Sequence, residues 1–252
     1  MTPEQAAAEL HVSTRTVYEW LRKGDLPGRQ FGGRVWRILE SDVLKPGVRG
    51  HLEEGLICSA RCWVEQGARA FEKALELNPR YNLANFHLGE MYYRWGHYSK
   101  AVAPLKKTIE LHPEWVAAYG ILGLNYNHWG DYAEAEKVLR KVVELAPAHA
   151  EGYYQLGYSL TQQPYSNKDG DAIEAFQRAI ELNPHDRKHY LFLPDLLFKV
   201  GDIPAAKDLY LKLRTVHEDL AERLSARIAY AEKFGHLAAY LPFVIDGATE
   251  AK

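Results

Sequence analysis

The sequence predicts a mainly α fold. A small N-terminal module of short helices with one hairpin precedes a right-handed solenoid of paired helices, closed by a C-terminal capping helix. Two observations predict this. From about residue 50 a 34-residue period appears, marked by prolines at 79, 113 and 147. Before it, within 45 residues, two short helical runs, a tight turn and a glycine-rich hairpin follow one another. The expected domains are 1–46 for the module, 47–81 for a hinge and a degenerate first repeat, 82–220 for the repeats, and 221–252 for a decayed repeat or cap with its tail.

In the first helix, Thr2 serves as cap, Pro3 as first helical residue and Gln5 as the return arm of a capping box. Ala6, Ala7 and Leu10 give it a small apolar face. His11-Val12 makes the turn. Ser13 caps a second helix from about Thr14 to Lys23, which Gly24 ends. Val17, Trp20 and Leu21 share its buried face at three- and four-residue spacing. Thr14, Arg15, Tyr18, Glu19 and Arg22 lie on the other side. Short hydroxyls at a helix N-terminus suit close approach to phosphate, and arginine there reaches base edges. Next, Gly32-Gly33 permits the positive φ of a two-residue hairpin. Phe31, Val35 and Trp36 pack while Arg29, Arg34 and Arg37 stay solvated. Ser41 then caps a short third helix from Asp42 to Leu44.

Charge follows the same division. Net charge is −2, yet residues 11–37 hold six basic groups against two acidic ones. Positive charge therefore gathers where a phosphate-facing surface needs it.

These residues resemble the excisionase-like, MerR-superfamily winged helix-turn-helix. The matching stretches are Thr2-Pro3-Glu4-Gln5-Ala6-Ala7, Val12-Ser13-Thr14-Arg15-Thr16-Val17-Tyr18, Gly24-Asp25-Leu26-Pro27 and Arg34-Val35-Trp36-Arg37-Ile38. His11 departs from the glycine usual there. The resemblance implies that the second helix enters the major groove of double-stranded DNA while the wing touches backbone or minor groove. The expected DNA-facing residues are Ser13, Thr14, Arg15, Thr16, Tyr18, Arg22, Lys23, Arg29, Arg34 and Arg37. The alternative is a module of this fold that contacts only protein.

Pro46-Gly47-Val48-Arg49-Gly50 is the expected hinge. In the repeats, Leu75-Glu76-Leu77-Asn78-Pro79 recurs as Ile109-Glu110-Leu111-His112-Pro113, Val143-Glu144-Leu145-Ala146-Pro147 and Ile180-Glu181-Leu182-Asn183-Pro184. Leu88-Gly89 recurs as Leu122-Gly123 and Leu156-Gly157. Gly96, Gly130, Gly201 and Gly235 mark turns between paired helices, with Asn167 replacing glycine in the third repeat, which holds extra residues between Thr161 and Asn167.

This pattern resembles the tetratricopeptide repeat. Each helix pair buries only part of its apolar face alone, and stacking completes the core. The repeat before residue 82 matches at Phe71, Ala74 and Pro79 but has a weak first helix. Pro194 stands where glycine lets helices touch, so a kinked helix is expected there. The final helix, with Leu220, Leu224, Ile228, Phe234 and Leu241, is a cap or a homodimer seam. The resemblance implies a concave groove of first helices, lined by Phe86, Glu90, Tyr93, Arg94, Asn127, His128, Tyr154, Tyr158, Gln162, Asp195, Phe198 and Lys199. Aromatics mixed with hydrogen-bonding groups suit a protein or peptide partner. The competing reading is a groove filled by the C-terminal helix itself.

No catalytic motif accompanies this architecture, so no enzyme activity and no cofactor are expected. Cys58 and Cys62 supply two of the four ligands a structural zinc site needs. Asn167-Lys168-Asp169-Gly170-Asp171 is too short for a calcium loop. Two cysteines, no secretory start and no apolar run near the roughly 18 residues of a membrane span point to a cytoplasmic protein without a membrane partner. The expected function is a bacterial DNA-binding regulator whose repeats recruit a partner. Alternatives are an interaction scaffold that does not bind DNA, or a regulator that senses a peptide in the groove.

Overall fold

The computed structural model of the protein describes residues 2–10, 14–15, 17, 29–31, 35–37, 48–60, 63–163 and 167–234. The chain divides into two units, Met1–Gly130 and Asp131–Lys252.

The first unit opens with α1 (Pro3–Leu10). Its capping box is reciprocal. The Thr2 backbone N–H donates to Gln5 Oε1 at 2.7 Å, and the Gln5 N–H donates to Thr2 Oγ1 at 3.3 Å. Ala6 and Val17 are fully buried. Thr14, Arg15 and Val17 are helical. Strands β1 (Arg29–Phe31) and β2 (Val35–Arg37) pair antiparallel, with Phe31 opposite Val35 and Arg29 opposite Arg37. That register leaves three residues between the strands, which corrects the two-residue loop expected from Gly32-Gly33. The His11-Val12 turn, the caps at Ser13 and Ser41, the helix end at Gly24 and the third helix at Asp42 to Leu44 lie outside the described residues.

Among the described residues this unit also holds α2 (Val48–Ala60), α3 (Val64–Leu77), α4 (Asn82–Arg94), α5 (Tyr98–Leu111) and α6 (Val116–Trp129). The weak first helix expected before residue 64 is in fact thirteen residues long. Its Gly55 presses on the Phe71 ring, where an added Cβ would sit 2.5 Å from Cε1. Gly89 meets Leu105 as closely. Gly55 is thus the repeat glycine of α2, unread in the sequence because His51 and Cys58 replace the aromatics that flag a first helix. Val48, Arg49 and Gly50 belong to α2, so the expected hinge does not extend over them. Phe71, Tyr81, Met91, Leu105 and Leu122 fill the core. Full burial of one such side chain stabilises by about 1.5–3 kcal/mol.

The second unit holds α7 (Tyr132–Leu145), α8 (Ala150–Thr161), α9 (Asp169–Leu182), a 3₁₀ turn (Arg187–Tyr190), α10 (Leu193–Val200), α11 (Ile203–Val216) and α12 (Glu218–Phe234). Pro194 does not kink a long helix. It sits in the first turn of α10, where a missing N–H costs nothing, and the segment before it tightens to 3₁₀. Asn167 adopts φ of +50°, the left-handed conformation that Gly96, Gly130 and Gly201 take at the other intra-repeat turns.

The extra residues of the third repeat are tied down by Glu136. Its carboxylate, 12% exposed, accepts from Lys168 Nζ at 2.5 Å, Gln163 Nε2 at 2.9 Å and Arg140 Nε at 3.0 Å. Burial works against its charge, but these donors together hold its pKa below the usual carboxylate value. At the far end Leu220, Leu224 and Ile228 of α12 are buried. Gly235 and Leu241 lie outside the described residues.

Candidate functional site

In the first unit the face of interest is carried by α4 and α6. Phe86 stacks on Trp115 with ring centroids 4.7 Å apart, and His87 lies 5.6 Å from Phe71. His87 Nδ1 contacts Glu90 Oε2 at 3.3 Å. That hydrogen bond, opposing burial, holds Glu90 below the ordinary carboxylate pKa, so the face keeps a negative charge at neutral pH. Tyr93 lies 5.6 Å from His128 and 6.2 Å from Tyr98. Arg94 and His128 are exposed, and Phe86, Glu90 and Tyr93 are half-buried. Asn127, expected in the groove, is buried instead, because at the end of α6 it faces the interior beside Tyr126.

In the second unit Tyr154 and Tyr158 project from α8. Tyr154 packs 5.9 Å from Phe176, 5.6 Å from His189 and 6.3 Å from Phe192, with Lys188 Nζ 5.8 Å from its ring centroid. Tyr158 lies 5.4 Å from Phe192 and 6.1 Å from Tyr132. Burial pushes both hydroxyls above their ordinary pKa, so both remain neutral hydrogen-bonding groups. Lys188 is paired with Glu151 at 2.5 Å and Asp186 at 3.4 Å. Burial disfavours its charge, but the two carboxylates raise its pKa and keep it cationic. Gln162 is half-buried at the end of α8.

Of the three groove residues expected from α10, Phe198 is buried, while Asp195 and exposed Lys199 are engaged in ion pairs. Phe198 is 3% exposed, with the Arg227 guanidinium of α12 4.3 Å from its ring centroid. Asp195 pairs with Arg227, and Lys199 Nζ reaches Asp169 Oδ1 at 2.8 Å. The physical reason is the neighbouring helices: Arg227 of α12 takes Phe198 and Asp195, and Asp169 of α9 takes Lys199, partners that a groove reading omits. Conversely, Trp115 and Phe192 contribute rings the sequence reading missed. Both precede a first helix rather than lie within it, so helical spacing did not select them.

Of the expected DNA-facing residues, Thr14 is half-buried and Arg15 exposed, both helical, while Arg29 and Arg37 oppose each other across the hairpin. Ser13, Thr16, Tyr18, Arg22, Lys23 and Arg34 lie outside the described residues. Among the described residues no group of three or more His, Cys, Asp or Glu is gathered as for a metal. Cys58 is buried, and Cys62 lies outside the described residues. No helix among the described residues is long and apolar enough to cross a membrane.

Comparison with known proteins bears on both segments. Residues 1–45 match the helix-turn-helix domain family, and residues 64–128 and 129–187 match the tetratricopeptide repeat family. No curated protein matches the chain. Among solved structures, the fold is similar to that of MamA, at 23% identity over 69% of this chain and 94% of MamA, with a TM-score of 0.63. It is similar to pilF of Pseudomonas aeruginosa, at 21% identity over 76% of this chain and 87% of pilF, TM-score 0.57. It is also similar to YrrB, a TPR protein with an unusual peptide-binding site, at 19% identity over 73% of this chain and 90% of YrrB, TM-score 0.59. At these identities the likeness is one of fold. The helix-turn-helix match does not reach the finer MerR or excisionase assignment.

Proposed function

We propose that this chain, a helix-turn-helix domain followed by a tetratricopeptide repeat domain, is an interaction scaffold whose repeats hold a peptide or protein segment on the faces of their first helices. One observation carries the reading. In each unit, half-buried rings share a face with groups of fixed charge or hydrogen-bonding capacity: Phe86, Glu90 and Tyr93 in one, Tyr154, Tyr158 and Lys188 in the other. Rigid rings supply contact area at little entropic cost, and the polar groups fix register. The fold likeness to YrrB, a protein with an unusual peptide-binding site, supports the same reading. Selection from a peptide display library tests it. Enriched peptides should bind about tenfold more weakly, or worse, to Phe86→Ala and Tyr158→Ala chains. Unchanged affinity in both variants sinks the idea.

A second reading concerns the first 45 residues. Six basic groups against two acidic between residues 11 and 37 favour a DNA contact, with Arg15 exposed on its helix. In this reading the module is a MerR-like address on DNA in a bacterial cytoplasm, and the repeats deliver a partner there. So few phosphate contacts make the binding weak and salt-sensitive. Fluorescence anisotropy at low salt tests it. Equal affinity of the parent chain and an Arg15/Arg22/Arg34/Arg37→Ala variant removes the DNA contact and leaves the scaffold reading intact.

A further inference from the structure

The groove face of the second unit has a chemistry that narrows its occupant. Tyr154 and Tyr158 of α8 and Phe192, just before α10, form one ring cluster. Phe192 lies 6.3 Å from Tyr154 and 5.4 Å from Tyr158. All three are half-buried, so each keeps part of its ring open to a ligand. Behind them stands the fully buried Phe176, 5.9 Å from Tyr154 and 5.8 Å from Phe192. That backing holds the rings before anything binds, which lowers the ordering cost of binding.

The polar groups around the cluster are unequally engaged. The carboxylates acting on Tyr154 are Glu151 and Asp186, and Lys188 is paired with both. Glu151 also accepts from Gln155 Nε2 at 2.8 Å, and Asp186 from the Lys188 backbone N–H at 3.1 Å. This triad keeps one negative charge in excess, which disfavours an acidic segment. The Tyr158 hydroxyl is hydrogen-bonded to Tyr132. The Tyr154 hydroxyl has no hydrogen-bond partner among the described residues, and burial keeps it protonated. The face therefore presents apolar rings and a hydroxyl donor with unused capacity, while its nearest carboxylates are already taken.

We propose that this face holds an uncharged, proline-rich segment in the polyproline II conformation, with prolines against the three rings and a backbone carbonyl accepting from the Tyr154 hydroxyl. Such an occupant presupposes the groove reading above. A polyproline II strand has no internal hydrogen bonds, so its carbonyls need donors, and proline brings no N–H that needs an acceptor. A helix satisfies its own carbonyls, so it would cover the Tyr154 hydroxyl without offering it a backbone acceptor. A β-type segment brings an N–H at every residue, and the nearest carboxylates are held by Lys188. A proline-rich strand also arrives already ordered, which suits a preformed aromatic surface.

The full chain tests this with labelled oligoproline. Its controls, also uncharged, are a helix-forming peptide of Ala, Leu and Gln and a strand-forming peptide of Thr and Val. Oligoproline should bind about tenfold tighter than either control, with an affinity that stays constant as salt rises. Tyr154→Phe keeps the ring and removes only the hydroxyl, and should weaken binding about threefold or more. Phe192→Ala should weaken it about tenfold, and Phe86→Ala, in the first unit, should leave it unchanged. Circular dichroism checks that Phe192→Ala keeps its helix content, and Tyr154→Phe carries the test if it does not. Absent binding of oligoproline, equal or tighter binding of either control, or equal affinity of the parent chain and Tyr154→Phe overturns the proposal. If display-selected peptides lose affinity in Tyr158→Ala while oligoproline does not bind, the proline-rich occupant alone is refuted. If selected peptides bind Tyr158→Ala and Phe86→Ala as tightly as the parent, the groove reading beneath it falls as well.

Discussion

Asn167 shows how a single side chain can satisfy a backbone demand that glycine usually meets. At φ of +50° it is the one non-glycine residue with positive φ among those described. Its short polar side chain tolerates this region better than most. Asn167→Ala should destabilise the chain by about 1–2 kcal/mol, and Asn167→Gly by no more than a few tenths, both read by urea unfolding. Equal loss in the two would remove the backbone from the explanation. Asn167 was legible as a turn residue because it falls where the 34-residue pattern requires one. Asn127 was not legible as buried, because repeat position says which helix face a residue is on but not how far a neighbour covers it. The same limit hid the internal pairing of Asp195 and Phe198.

Among the elements, the close helix approaches are the firmest sequence inferences. At Gly157 an added Cβ would lie 2.8 Å from the Phe176 ring. Because that ring is fully buried, it cannot swing clear. Gly157→Ala should therefore cost about 1–3 kcal/mol by urea unfolding, whereas Gly170→Ala, with open space around it, should cost none. The start of α12 gives a pH prediction. Arg187 donates to both oxygens of Asp219, at 2.9 and 2.6 Å, and these bonds lower the carboxyl pKa to about 2 from 3.8. A lowered folded pKa contributes stability above the unfolded value and loses it as pH falls through the folded one. The stability difference between the parent and Asp219→Asn should thus hold constant above pH 5 and shrink between about pH 4 and pH 2. A constant difference across that window would exclude the ion pair. The helix α2 reads as only a weak first helix in the sequence because His51 and Cys58 hide its repeat signature, while Gly55 keeps its geometry.

For the whole molecule, both domains were readable because their landmarks are backbone requirements: caps, turn glycines and close contacts recur wherever the geometry recurs. Partner chemistry is not periodic, so it was read only in part. Trp115 and Phe192 lie outside the helices that spacing selects. If the scaffold and DNA readings both hold, the two binding activities are separable. Tyr158→Ala should lower affinity for selected peptides while leaving the salt-dependent DNA anisotropy of the chain unchanged. Parallel loss of both would mean that the domains are coupled.

Arg227 has a consequence for how the molecule comes apart. It occupies α12 with its guanidinium on Phe198 and its charge against Asp195, whereas the buried face of α6 is largely apolar, with Ala118, Leu122 and Tyr126 in the core. A joint made partly of charge weakens in concentrated salt, and one made of hydrocarbon does not. Native-state hydrogen exchange should accordingly show the amides of α12 opening at lower free energy than those of α6, with the gap widening as ionic strength rises. Helix α12 would then be the point from which unfolding of the second unit starts.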